Sequence, residues 1–215
     1  RLVLDIENFK IYSGDRIGIV GANGVGKTTF MNILTSSLEI DEGYVKLYST
    51  YAYISQLGNP DSKTISSEMA SKFNISTTWD ETMSGGEKTR FKLAQAFSAE
   101  RELIFADEPT SNVDLNGVEF IETILRQHKG AFLIISHDRA FLDKLCNKIV
   151  EIENGKIKTY NGNYSDYVTI KREEVERKQF EYEQYYKEKK RLEKAAEGTR
   201  RKAKSIKSAP KRMGN

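Results

Sequence analysis

The sequence predicts an α/β fold with a mainly parallel sheet covered by helices. Three observations carry that expectation: short apolar runs that end in glycine or in carboxylates, a helical stretch after each, and their steady alternation along the chain. With 215 residues the chain is long enough to bury a full α/β core, and 38% hydrophobic content is low but still globular. No apolar run approaches the ~18–20 residues of a membrane helix, the longest being Ala131–Ile135. No charged-then-apolar leader opens the chain, so a soluble, cytoplasmic protein is expected, and the start at Arg1 rather than Met points to a fragment. The single cysteine, Cys146, allows no internal disulfide, and its apolar surroundings suit a buried thiol.

Taken in order, residues 2–11 alternate apolar and polar side chains like a half-buried strand, and Ser13-Gly14-Asp15 turns the chain. Arg16–Val20 is a short apolar strand running into glycine, followed by a helix from Lys27 to about Ser37. After the turn Asp41-Glu42-Gly43 come strand candidates at Tyr44–Tyr48 and Tyr51–Ser55, then weakly periodic helical pieces around Ile65–Phe73. The second half is regular. A helix follows Ser84, a strand covers Leu103–Ala106, a helix runs from Asp114 to about His128, a strand covers Ala131–Ser136 and another helix starts at Asp138. Asn154-Gly155 supplies the positive φ angles of a tight primed turn, which predicts a hairpin of Lys148–Glu153 with Lys156–Tyr160. From Tyr167 to Glu197 the chain is rich in Glu, Lys and Arg without Gly or Pro, so a long exposed helix is expected.

The net charge of +3 conceals a division. Residues 168–215 hold 16 Lys and Arg against eight Glu and no Asp, which leaves 18 basic and 23 acidic residues in the rest. An acidic body with a basic extension fits a polyanionic partner, although charge alone is equally compatible with a solvated helix.

Two motifs carry chemistry. Gly21-Ala22-Asn23-Gly24-Val25-Gly26-Lys27-Thr28 fits G-x-x-x-x-G-K-[ST], placed after an apolar strand and at a helix start, where that pattern must lie. Its glycines let main-chain N–H groups turn inward as a nest for phosphate oxygens, and the helix N-terminus adds partial positive charge. Lys27 then bridges the β- and γ-phosphates, and the Thr28 hydroxyl ligates Mg²⁺. Leu103–Ala106 ends in Asp107-Glu108, which delivers one carboxylate to the Mg²⁺ shell and a second, Glu108, to polarise an attacking water. Either motif alone has a bland reading, as a glycine-rich turn or as solvated strand-end acids.

With these residues in place, about residues 1–160 resemble the nucleotide-binding domain of the ABC ATPases, a P-loop fold with a mainly parallel sheet, an antiparallel β part and a helical subdomain. Met83-Ser84-Gly85-Gly86-Glu87 resembles the family signature L-S-G-G-Q with Met for Leu and Glu for Gln. The resemblance implies ATP with Mg²⁺, held by residues 21–28 and Thr29. It implies that Ser84, Gly85, Gly86 and Glu87 close over the γ-phosphate of a second nucleotide-binding domain, a tandem copy or a homodimer mate. Gln56 matches the Q-loop glutamine that contacts Mg²⁺ and water, Ser111-Asn112-Val113-Asp114 the D-loop, and His137 the switch histidine. The adenine-stacking aromatic of the family is expected upstream of Arg1.

Only 28 positions separate Gln56 from Ser84, short for a transporter motor and similar to the reduced helical region of the ABC-F proteins, which act on ribosomes. The stretches Ser136–Asp143 and Tyr160–Tyr167 also resemble ABC-F. The implied organisation is a nucleotide-binding domain over 1–166, with its helical subdomain at about 57–100, and an incomplete basic linker over 167–215. In the linker, Tyr182, Tyr185, Tyr186 and Leu192 can form a partial seam for an antiparallel helix. Residues 198–215 carry seven basic and no acidic residues: Arg200, Arg201, Lys202, Lys204, Lys207, Lys211 and Arg212. With so little apolar surface, this segment is expected to order only against a polyanion, which the resemblance implies is ribosomal RNA and tRNA. General likeness is greatest to the Vga-like antibiotic-resistance group. An export motor of the transporter branch is the alternative, and a repair-type ABC ATPase would need long inserted coiled coils that are absent here.

Overall fold

The computed structural model describes residues 3–55, 59–60, 62–98, 101–111 and 113–207, with the side chains of 201–207 left aside. Two compact units divide the chain, Arg1–Tyr167 and Val168–Asn215. In the first, six strands form one sheet: β1 (Arg16–Val20), β2 (Tyr51–Ile54), β3 (Leu103–Asp107), β4 (Ala131–Ile135), β5 (Lys148–Glu153) and β6 (Lys156–Asn161). Their order is β2-β3-β4-β1-β5-β6, all pairs parallel except the β5–β6 hairpin. Helices α1 (Lys27–Leu34), α2 (Ser67–Phe73), α3 (Gly85–Ser98), α4 (Leu115–Gln127) and α5 (Arg139–Leu145) link the strands, and α6 (Tyr164–Lys207) follows the hairpin.

β3 and β4 are buried at every position, as strands covered on both faces must be. Alternate residues sort the two faces. Ile17, Ile19, Leu103, Phe105, Leu133, Ile135, Val150 and Ile152 form one core with Phe30, Met31 and Leu34 of α1. On the opposite face Gly18 lets α5 approach. A Cβ there would meet Ile149 Cδ1 at 3.0 Å and Leu142 Cδ2 at 3.1 Å. Cys146 also lies on this side; it is 6% exposed, and burial pushes its thiol up to about 12, which makes it an inert packing residue.

The helix starts are written in the sequence. Ser66, Asp114 and Asp138 each accept a hydrogen bond from the main chain three residues on, capping α2, α4 and α5. Asn154 and Gly155 both take positive φ, 53° and 77°, the pair a primed hairpin turn requires.

Three expectations change. Residues 2–11 form no strand among the described residues: Leu4, Ile6, Phe9 and Ile11 do pack on the core, but the main chain makes no ladder, and Asp5 N–H bonds only Gly155 O at 2.6 Å. Alternation reported the buried side correctly, whereas a strand also needs a neighbour to share its N–H and C=O groups. Tyr44–Tyr48 is likewise not a strand, with Leu47 against the core and Tyr44 and Tyr48 about 86% and 85% exposed. Finally, the helix does not stop at Glu197. It continues through Gly198 to Lys207, because extending an existing helix adds one bond per residue, and Arg, Lys and Ala offset one exposed glycine costing about 1 kcal/mol.

Candidate functional site

The parallel pairing of β1, β3 and β4 brings three loops to one sheet edge. Ile19 lies beside Ile135, and Asp107 beside Ile135 on the other flank, so the ends of all three strands share a level. This is the carboxyl edge of an open parallel sheet, where such folds place their ligands.

The loop after β1 is shaped by glycine. Gly21 has φ of 151°, and a Cβ on it would lie 2.6 Å from Ile152 O, inside the neighbouring strand's main chain. Gly26, at φ 109°, is the left-handed N-cap of α1 and has no side-chain cap. The first N–H groups of α1 are thus left for an outside acceptor. Lys27 folds back over this loop, its Nζ donating to Gly21 O at 2.9 Å and Ala22 O at 3.1 Å. Those carbonyls hold the ammonium at the mouth of the cradle.

Thr28 Oγ1 donates to Asp107 Oδ2 at 2.9 Å, joining the loop to β3. Asp107 is 5% exposed, and burial raises its carboxyl above the ordinary range, opposed by the Thr28 hydroxyl and the charges of Lys27 and His137. Glu108 follows in a left-handed conformation, φ 51°, a strain of about 1–3 kcal/mol for a residue with a Cβ. Three hydrogen bonds impose it: Glu108 N–H to Ile135 O at 2.9 Å, and Ser111 N–H and Oγ to Glu108 O at 3.1 and 2.8 Å. The strain turns the carboxylate toward the loop after β4. There His137 N–H donates to Glu108 Oε2 at 3.3 Å, and His137 Nε2 lies 3.5 Å from Oε1. Glu108 Oε1 is buried without a hydrogen-bond partner, and burial raises this carboxyl too. A buried, unfilled acceptor is what a water-polarising carboxylate must offer.

The structure therefore brings together Gly21, Lys27, Thr28, Asp107, Glu108 and His137. Gln56 and Asn112 lie outside the described residues, as do Lys211 and Arg212. Ser84–Glu87 opens α3, and Gly85 lines a cavity together with Asp107 and Glu108. Ser84 N–H and Oγ both donate to Glu87 Oε2, at 2.8 and 2.7 Å, and Glu87 N–H donates back to Ser84 Oγ at 3.3 Å. This is a reciprocal capping box, and these bonds hold the Glu87 carboxyl below its usual range. Asp114 caps α4 through Gly117 N–H at 3.0 Å. Lys92, which no local pattern singles out, donates to Ser55 O, just past the end of β2 and 37 residues away.

Two profiles described as ABC transporter match residues 4–74 with 50–111, and 150–214. The chain belongs to the ABC transporter family. It contains that family's ATP-binding domain. The erythromycin resistance ATP-binding protein MsrA of Staphylococcus epidermidis is 33% identical over 76% of this chain and 34% of that protein. The ribosome protection protein VmlR of Bacillus subtilis is 30% identical over 86% of this chain and 35% of that protein. A solved structure described as a model of ribosome-bound archaeal Pelota and ABCE1 superposes at a TM-score of 0.61 and 26% identity, over 73% of this chain and 31% of that one. The chain spans about a third of the length of the curated relatives it matches.

The residues present fit a magnesium nucleotide. Its phosphates would meet the glycine-shaped loop, the α1 N-terminus and Lys27. Its Mg²⁺ would meet the Thr28 hydroxyl and Asp107, and no group of three or more His, Cys, Asp or Glu able to hold an ion occurs among the described residues. One hydroxyl and one carboxylate are enough for an ion that keeps several waters and takes phosphate oxygens as its other ligands.

Proposed function

We propose that this chain is the nucleotide-binding domain and first linker segment of an ABC-F protein that binds and hydrolyses ATP while acting on the ribosome in the cytoplasm. The observation that carries the hydrolytic part is the Thr28–Asp107–Glu108–His137 constellation, in which Thr28 ties the phosphate loop to Asp107 and a strained backbone holds the next carboxylate, Glu108, against His137 with one buried oxygen lacking a hydrogen-bond partner. In this reading Lys27 and the main-chain amides hold the phosphates, and Thr28 and Asp107 orient the ion. Glu108 takes the proton of the attacking water. His137 holds the Glu108 carboxylate in place, and Gln56 completes the site. Ser84–Glu87 serves the nucleotide of a second domain, tandem or homodimeric, and Asp114 anchors the loop that faces it.

The ribosomal part is supported by the relative named as a ribosome protection protein and by the basic linker. Its ligands are ribosomal RNA and tRNA, met by the basic residues from Arg200 to Arg212, and the erythromycin-resistance relative favours the Vga-like resistance group over a housekeeping factor. Glu108→Gln in the complete protein should cut turnover by about 10²- to 10⁴-fold, the usual worth of a general base, and accumulate an ATP-bound, ribosome-associated form. Co-sedimentation with ribosomes and single-turnover hydrolysis measure this. Unchanged turnover without trapping removes Glu108 from its role.

A further inference from the structure

We propose that Lys92 is a positioning residue for hydrolysis, fastening the end of β2 to α3 so that the helix begun by Ser84–Glu87 and the carboxylate-bearing edge of the sheet shift as one body. The inference rests on the ATPase reading above.

The β2–β3 ladder ends at the pair Ile54–Ala106, so Ser55 lies one residue beyond it, as Asp107 does on β3, and both line the same cavity. There Ser55 O accepts a hydrogen bond from Lys92 Nζ at 2.9 Å, from a helix 37 residues further along the chain. One turn later on the same helix Gln95 Nε2 donates to Ser62 O at 3.1 Å. α3 therefore grips the segment that leaves β2 at both of its described ends.

Lys92 and Lys88 line a cavity of about 360 Å³ together with Ser55, Asp107 and Glu108. Half-burial, and then the Lys88 charge one turn away, lower the Lys92 ammonium below the ordinary lysine range. An aliphatic side chain would fill this place without desolvating a charge. What only the lysine supplies is a directed, charge-assisted bond to a strand end that abuts the carboxylates. The signature segment and Asp107-Glu108 serve different nucleotides in the proposed dimer. A rigid tie between them makes the geometry of one respond to occupancy of the other.

A native reporter sits in the same cavity. Trp79, the chain's single tryptophan, is 8% exposed, lines that cavity, and packs edge-on against Phe91, the neighbour of Lys92 on α3, with ring centroids 5.4 Å apart.

The test uses the full chain with Lys92→Met, which keeps length and apolar volume, and Lys92→Arg, which restores a charged donor. Steady-state hydrolysis of magnesium ATP and the Trp79 emission change on nucleotide addition are measured for each. Lys92→Met is expected to lower kcat about tenfold, a modest case of misplacement, while KM stays within about twofold and the emission response falls away. Lys92→Arg is expected to recover both. Should Lys92→Met not fold, Lys92→Leu, which also lacks a donor, replaces it under the same expectations. Hydrolysis and emission equal to the parent chain in the donor-deficient variant, or a loss that arginine fails to restore, overturns the inference alone. A parent chain that binds no magnesium ATP overturns the ATPase reading and this inference with it.

Discussion

At the scale of single residues, the site keeps two carboxylates where the fold would rather have neutral groups. Burial raises both Asp107 and Glu108, so the folded, nucleotide-free chain binds protons more readily than the unfolded one. The sign follows. Their contribution to stability is fully present below the ordinary carboxyl pKa of about 4 and is lost as pH rises through the raised values. Asp107→Asn should therefore raise the unfolding midpoint of the nucleotide-free chain at pH 7, with the advantage vanishing near pH 4, while hydrolysis falls. Thermal unfolding at the two pH values checks this, and an equal or lower midpoint at pH 7 would show that the aspartate is not under electrostatic strain. Stability given up at a site in return for chemistry is a common exchange. The glycine loop and the strand-end acids were legible because their spacing is itself the chemistry. The left-handed turn at Glu108 was not, since nothing in a Glu-Pro sequence announces a positive φ.

Elements show a different kind of anchoring where α6 leaves the sheet. Glu151 on β5 is 8% exposed and accepts hydrogen bonds from Tyr160 OH at 3.1 Å and Tyr167 OH at 2.9 Å, with the two rings edge-on at 5.0 Å. Burial, and then Glu151, raise the Tyr167 phenol, which keeps it a donor throughout the physiological range. Glu151 also stands beside Val20, the last residue before the phosphate loop. Tyr167→Phe removes one of two phenol donors from a buried carboxylate and should cost about 1–3 kcal/mol. Chemical denaturation measures the loss, and hydrogen exchange should locate it in the first turns of α6 and the end of β5. An effect below about 0.5 kcal/mol would mean that water satisfies Glu151 equally well.

For the whole molecule the governing feature is the division of charge between an acidic body and a basic extension. α6 is 44 residues long, and Phe180, Tyr182, Tyr185 and Leu192 lie exposed along it. A helix with so little apolar burial depends on local propensity and on its charged partners in solution. On the ribosomal reading proposed above, truncation after Phe180 should weaken ribosome binding and flatten its dependence on salt, since every phosphate that is no longer neutralised lowers the logarithmic slope by about 0.7–0.9. Nucleotide affinity should be unchanged. Binding titrations over a range of salt concentrations decide it, and an unaltered slope would overturn the reading of the basic linker as a polyanion contact. No helix among the described residues is long and apolar enough to cross a membrane.

By itself the sequence determined the order of events along the chain: where β1, β3 and β4 begin, where Asp114 and Asp138 start helices, and where Asn154-Gly155 reverses direction. These features are local, resting on side-chain periodicity and on hydrogen bonds spanning two to four residues. Tertiary structure alone decided whether residues 2–11 and 44–48 became strands, which depended on a partner edge rather than on alternation. It also decided that Thr28 reaches Asp107, that Glu108 faces His137, and that Lys92 meets Ser55. Each of these joins residues 29 to 79 positions apart. Such contacts exist only once a sheet has set distant strand ends side by side, because a short-range pattern carries no information about which remote carbonyl or carboxylate will arrive within reach.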